Sequence, residues 1–204
     1  MTLVPQVVSV ANMAEISVLV RRWQAGDERA AEAIYNQYRN TVFELAYALL
    51  SDRADAEEVA QDALTYALTH IERYDPGRAR FRTWLHTITV SRCRNKRRRR
   101  YLPSVSLVAW LKGGGDVRDT APGPEHRAVQ QAACDEVREA IESLSRPLRE
   151  AILLRYWADY TYQEIGDILG CSMRTAQSRV RMAHKQLGKS LAQIDLGFLE
   201  ESAK

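Results

Sequence analysis

Apolar residues recur every three or four positions along most of this chain, and no stretch alternates in the way a half-buried strand would. From Glu15 to Gln24, Ile16, Leu19, Val20 and Trp23 fall on one helical face. Gly26-Asp27 stops that helix and caps a second, predicted over residues 28–50, with Ala31, Ile34, Tyr35, Tyr38, Val42, Leu45, Ala46 and Leu49 turned inward. Ser51 or Asp52 caps a third over residues 53–73, whose core stripe is Val59, Ala63, Tyr66, Ala67 and Ile71. Asp75-Pro-Gly-Arg forces a turn, and a fourth helix over residues 81–100 follows, apolar at Phe81, Trp84, Leu85 and Ile88. A second helical set starts near Glu125. Its first stripe is Val129, Ala133, Val137, Ile141 and Leu144. After Arg146-Pro147, where proline suits a first helical turn, comes Leu148, Ile152, Leu153, Tyr156 and Trp157. The expected fold class is all-α.

The last periodic stretch, Asp159 to Leu187, reads as two short helices around a tight turn. Thr161 can cap the first, with Glu164 three residues on as a capping box requires. Ile165, Ile168 and Leu169 make its apolar face, and Gly170 stands where the backbone must turn left-handed. Ser172 can cap the second helix, whose apolar residues are Ala176, Val180, Ala183 and Leu187. Arg174, Thr175, Gln177, Ser178, Arg179, Arg181 and Lys185 are left for the outer face. This is a helix-turn-helix pattern, with the second helix suited to the major groove of DNA.

Punctuation divides the chain. Residues 1–13 read as a loose leader, 14–101 as one small helical domain, 102–124 as a flexible linker, 125–192 as a second helical domain and 193–204 as a tail. The linker holds Pro103, Gly113-Gly-Gly115, Pro122 and Pro124, which disfavour packed structure, together with an apolar patch from Val105 to Leu111. Net charge is only +3, but it is unevenly spread. Residues 92–100 carry seven positive charges and no negative one, a phosphate track in type, whereas Asp52 to Asp62 is mainly acidic and suits a basic partner. Three widely spaced cysteines, Cys93, Cys134 and Cys171, fit neither a disulfide framework nor a zinc site, and they suit a reducing cytoplasm. The four histidines show no metal-ligand spacing. No cofactor is expected. No apolar run approaches the ~20 residues of a membrane span.

Taken in order, these features resemble the sigma-70 family, specifically the extracytoplasmic-function (ECF) sigma factors of bacteria, over about residues 15–190. Asp55-Ala-Glu-Glu-Val-Ala-Gln-Asp-Ala-Leu64 is similar to the family's surface for the clamp helices of the largest RNA polymerase subunit. The resemblance therefore assigns polymerase binding to Asp55, Glu57, Glu58, Gln61 and Asp62. Phe81-Arg-Thr-Trp-Leu-His-Thr-Ile88 resembles the family segment that melts the minus-ten promoter element and holds flipped bases. It implies a minus-ten surface of Tyr74, Arg78, Arg80, Arg82, Trp84, Ser91, Arg92, Asn95, Lys96 and Arg98. Aromatic stacking suits extruded bases, while Phe81 is expected mostly in the core. Tyr162-Gln-Glu-Ile-Gly with Leu169, Thr175, Ser178 and Arg179 resembles the helix-turn-helix that reads the minus-thirty-five element, with Arg174, Gln177, Arg181 and Lys185 beside it.

The chain departs from the family pattern at Thr89-Val90-Ser91 and Asn95, and again at Arg174, Met182 and His184. The implied partners are core RNA polymerase, including the flap of its second-largest subunit, promoter DNA and an anti-sigma factor. A stand-alone helix-turn-helix regulator would account for Asp159 to Leu187 but not for the acidic helix start or the Phe81 to Arg100 segment. Nothing in the chain has the pattern of an enzyme: no carboxylate cluster, nucleophile–base pair or zinc signature.

Overall fold

The computed structural model describes residues 10–101 and 137–190, and every regular element among them is helical. In order these are α1 (Val10–Gln24), α2 (Glu28–Leu50), α3 (Arg53–Thr69), a 3-10 turn (Ile71–Arg73), α4 (Phe81–Tyr101), α5 (residues 137–143), α6 (Arg146–Tyr156), α7 (Tyr162–Leu169) and α8 (Met173–Ser190). The expected leader overlaps α1, which starts at Val10 rather than near Glu15. The rest of the leader, the linker with its apolar patch, the stretch to residue 136 and the tail lie outside the described residues.

The helix boundaries follow from local chemistry. Asp27 accepts the amide of Arg29 at the start of α2. Of the two candidates between α2 and α3, Asp52 is the cap, accepting from the Asp55 amide at 2.9 Å. Ser51 instead takes a left-handed φ of 56° and ends α2. With the two helices almost abutting, one residue must close the first while the next opens the second. Pro147 lies in the first turn of α6. Thr161 and Glu164 form the full capping box: Glu164 donates its amide to the Thr161 hydroxyl, and its carboxylate accepts the Thr161 amide at 2.9 Å. Thr161→Ala is expected to cost about 1 kcal/mol, read as a shift in the urea midpoint.

Helices α1 to α4 pack into a bundle around Val20, Ile34, Tyr38, Val42, Leu64, Phe81 and Leu85. A small core of Leu144, Leu148, Ile152 and Ala183 ties α6 to α8. A third core joins the two halves. Leu45, Leu49, Val59, Val90 and Cys93 meet Leu154, Ala158, Tyr160, Ile165, Leu169 and Val180 there, so α4 packs against α7 and α2 against α6.

Some stripe assignments shift by one position. Ala30 rather than Ala31 is fully buried in α2, and Tyr35 is 38% exposed. Tyr66 lies half-exposed on α3, while Leu64 takes a core position. In α6, Ala151 and Leu154 are buried, whereas Tyr156 is 61% exposed. Residues at the edge of an apolar stripe fall on either side of the boundary, and the neighbouring element decides which flank it covers.

Candidate functional site

The acidic start of α3 presents Glu57, Glu58, Gln61 and Asp62 to solvent, with Asp55 half-buried. Glu57 pairs with Arg53 one turn away at 3.0 Å. Lys96 of α4 reaches this patch, with its Nζ 3.3 Å from Asp55 and 2.5 Å from Glu58. Glu58 and then Asp55 hold the ammonium above its usual pKa. Lys96, expected on the DNA surface, is thus placed against the acidic patch. Arg92 sits one turn back on the same edge of α4, its guanidinium 4.9 Å from the centre of the Tyr66 ring. That ring also stacks on His70 at 4.3 Å, and its hydroxyl accepts from Arg73 at 2.8 Å. Tyr66 reads as core from periodicity alone, and only the packing of α3 on α4 reveals its basic surroundings.

The turn before α4 is built on aromatic contact. Tyr74 meets Phe81 edge-on at 5.2 Å and Trp84 at 5.4 Å, and Phe81 meets Tyr38 at 5.2 Å. Phe81 and Tyr74 are buried, and Trp84 is half-buried. Burial pushes the Tyr74 hydroxyl up, and that of Tyr38 to about 12, so both remain neutral donors. Gly77 donates its amide to Asp75 at 2.8 Å, which shapes the turn that carries exposed Arg78 and Arg80. Ser91, Asn95 and Arg98 are exposed at positions one turn apart, forming a single polar face of α4.

A different edge of α4 faces the second half of the chain. Arg80 Nη1 stands 4.0 Å from Glu164. Arg82 donates to the Ala158 carbonyl at 2.7 Å and lies 4.8 Å from the centre of the Tyr160 ring. The Tyr160 hydroxyl meets His86 Nδ1 at 3.0 Å, and Arg94 grips Glu150 through two hydrogen bonds of 3.1 and 2.7 Å. Arg82 Nε and His86 Nε2 are buried there without a hydrogen-bond partner among the described residues. Of the expected DNA residues, Arg80 and Arg82 are therefore engaged within the chain.

Burial, and next the Arg82 charge, push the fully buried His86 down to about 3. The open or unfolded chain takes up the proton near 6.5, so the folded state is favoured above that pH and weakens as pH falls. Going from about pH 7.5 to about pH 5.5 should remove about 1.4 kcal/mol of stability through this group. Urea midpoints across that range check this, and the slope should flatten in His86→Gln.

In the C-terminal pair, Gly170 adopts a left-handed φ of 69° and turns the chain from α7 into α8. Ser172 accepts the Thr175 amide at 3.1 Å and caps α8. Ala176, Val180 and Ala183 are buried, while Arg174, Gln177, Arg181 and Lys185 are exposed on the opposite face. Thr175, Ser178 and Arg179 are half-buried; Arg179 reaches Cys171 Sγ at 3.5 Å. Next to this face, His184 Nε2 lies 2.6 Å from the exposed Tyr156 hydroxyl, a pair that no sequence signal marked.

Two family models match this arrangement in the same order as its cores: Sigma-70 region 2 over residues 34–101 and Sigma-70, region 4, over residues 134–187. The E. coli (strain K12) ECF RNA polymerase sigma-E factor is 30% identical over 176 residues, covering 83% of this chain and 91% of the relative. The chain belongs to the ECF sigma factors of the sigma-70 family. The ECF RNA polymerase sigma factor SigW of Bacillus subtilis is 27% identical over 180 residues, 86% of this sigma factor and 96% of that one. Among solved structures, CnrH in complex with the cytosolic domain of CnrY shares the fold, with a TM-score of 0.62 at 20% identity over 86% of this sigma factor and 96% of that chain. In this sigma factor the region 2 match runs from α2 through α4, and the region 4 match takes in α5 to α7 and most of α8. Among the described residues no helix is long and apolar enough to cross a membrane.

Proposed function

We propose that this sigma factor binds core RNA polymerase through Asp55, Glu57, Glu58, Gln61 and Asp62 on α3, and directs transcription initiation by reading two promoter elements. The pairing of region 2 and region 4 matches in one chain carries this reading. Carboxylates on an exposed helix face suit arginines of the polymerase clamp, which they can bind bidentately. The α4 face of Ser91, Asn95 and Arg98, with Arg82 and Trp84 in the first turn of α4 and Arg78 and Arg80 just before it, is assigned to the minus-ten element. The outer face of α8, with Arg174, Thr175, Gln177, Ser178, Arg179, Arg181 and Lys185, is assigned to the minus-thirty-five element. Arg92 and Lys96 fit the edge of the polymerase surface better than the DNA face, because both lie against α3. The protein supplies binding energy and has no reaction of its own. It works in the cytoplasm, where an anti-sigma factor holds it until needed.

A stand-alone helix-turn-helix regulator accounts for residues 134–187 but leaves the region 2 match without a purpose. The deciding experiment adds the purified protein to core polymerase, looks for a stable complex, and then scores promoter-dependent transcripts from genomic DNA fragments. A protein that binds duplex DNA but never core polymerase would overturn the reading.

A further inference from the structure

We infer that Lys96 is an internal counter-ion that competes with the polymerase for Asp55 and Glu58, and so sets how tightly the acidic face of α3 is bound. The ion pairs belong to the fold of the free chain. Their effect on binding deepens the function proposed above and rests on it.

Geometry sets Lys96 apart from the other cations of its run. Its Nζ bridges two carboxylates of α3, 3.3 Å from Asp55 Oδ1 and 2.5 Å from Glu58 Oε2. Asp55 and Glu58 stand three positions apart, so their side chains are neighbours on one helix face and repel each other. An ammonium between them relieves that repulsion, and the Lys96 side chain is only 24% exposed there. Arg92, one turn back, lies over the Tyr66 ring of α3. The 92–96 edge of α4 is thus turned to α3, beside the exposed face of Ser91, Asn95 and Arg98. Glu58 first, and Asp55 next, raise the pKa of the ammonium, so Lys96 stays charged throughout the neutral range.

What a cationic partner needs, Lys96 already holds. A guanidinium that pairs bidentately uses both oxygens of one carboxylate. At Glu58 one of those oxygens carries the ammonium. An arriving cation also meets a like charge, in a patch whose negative potential that charge weakens. The Glu58 side chain is 59% exposed, so a partner can reach it and the competition is direct. Arg53 offers a comparison inside the same patch. It pairs with Glu57 at 3.0 Å, but from one turn away on the same helix and with both side chains largely exposed. Such a pair yields readily. Lys96 comes from a second helix and engages two acids at once.

The test measures the affinity of the full-length chain for purified core polymerase at low salt. Lys96→Gln keeps most of the stem and removes the charge. It should bind about three- to tenfold more tightly than wild type, with a thermal midpoint near wild type. The gain should shrink as salt rises, because screening weakens the like-charge contact. Lys96→Arg, which keeps the charge, should stay within about twofold of wild type. Arg53→Gln removes the same charge from the same patch and should gain less than about twofold. In a double-mutant cycle, Glu58→Gln should cost at least about threefold more affinity in the Lys96→Gln background than in wild type, because only there is the whole carboxylate available. A second arm needs no polymerase. It follows amine modification of Lys96 in the free chain, located by peptide mass spectrometry, with exposed Lys185 as reference. Lys96 should react at least about threefold more slowly than Lys185, and Glu58→Gln should bring the two rates together.

Unchanged or weaker binding by Lys96→Gln overturns the competition. So does an equal gain from Arg53→Gln, or a cycle that is simply additive. Lys96 reacting as fast as Lys185 overturns the ion pairs themselves. Absence of any complex for every variant overturns the polymerase reading and the competition with it, while the modification rates still judge the pairs.

Discussion

Gly166→Val is expected to destabilise the region 4 domain by about 3 kcal/mol, the upper end of what overpacking a tight contact costs. Gly166 lies in the short helix α7, directly under the turn into α8. A Cβ there would stand 2.7 Å from the Cys171 carbonyl oxygen and 3.3 Å from the Met173 amide nitrogen. Both obstacles are backbone, so no side chain can swing aside. The Cys171 amide also donates to the Gly166 carbonyl at 2.9 Å, which pins the two segments together. Valine adds two methyl groups to that contact and a β-branched residue to an eight-residue helix. The turn must widen, and α7 must lift from the shared core where Ile165, Ile168 and Leu169 are buried. Two controls separate crowding from backbone conformation. Gly170→Ala meets no atom within 4 Å but carries a φ of +69°, so it should cost about 1 kcal/mol. Gly188→Ala meets nothing within 4 Å in the last turn of α8 and should be neutral to stabilising, by less than the ~1 kcal/mol of a helix interior. Urea denaturation of the three variants gives the order, and a Gly166→Val midpoint no lower than that of Gly170→Ala would refute the close-packed turn.

The second large effect is functional. Glu57→Lys combined with Glu58→Lys is expected to weaken binding to core polymerase at least about a hundredfold, since each lost charge-assisted pair is replaced by repulsion. The fold should survive. Glu57 is exposed, and its pair with Arg53 is an i,i+4 surface contact worth only about 0.3–0.5 kcal/mol. Glu58 is also exposed, and its loss leaves Lys96 with Asp55 as a remaining partner. A thermal midpoint near wild type together with lost complex formation on size exclusion is the expected pair of results. Retained binding would mean that the clamp contacts a different face of α3.

The expectations from sequence and the folded chain differ in an instructive way. The caps were legible because they are local: Asp27, Asp52, Thr161 with Glu164 and Gly170 act on backbone groups within four residues. The helix-turn-helix was legible for the same reason, since one turn and two apolar stripes define it. The residues that gather around α4 were not. Its place in a basic run groups Lys96 with DNA-facing neighbours, yet the packing of α4 on α3 sets it between Asp55 and Glu58. Spacing alone puts Tyr66 in the core, yet it lies at the rim with Arg73 and Arg92 around it. Its period is right, but periodicity cannot say where the covering helix stops.

What the sequence alone determined is therefore the helical class, the order of its two halves, their caps and the residues that belong to the acidic, aromatic and basic sets. Each of these depends on spacings of a few residues along one helix, where geometry is fixed by the backbone. Only the tertiary structure decided which edge of α4 faces α3 and which faces α7, and that Arg82, His86 and Arg94 meet Ala158, Tyr160 and Glu150 across more than 50 residues of chain. Such contacts depend on how separate apolar stripes find a common core, and no local spacing encodes that choice.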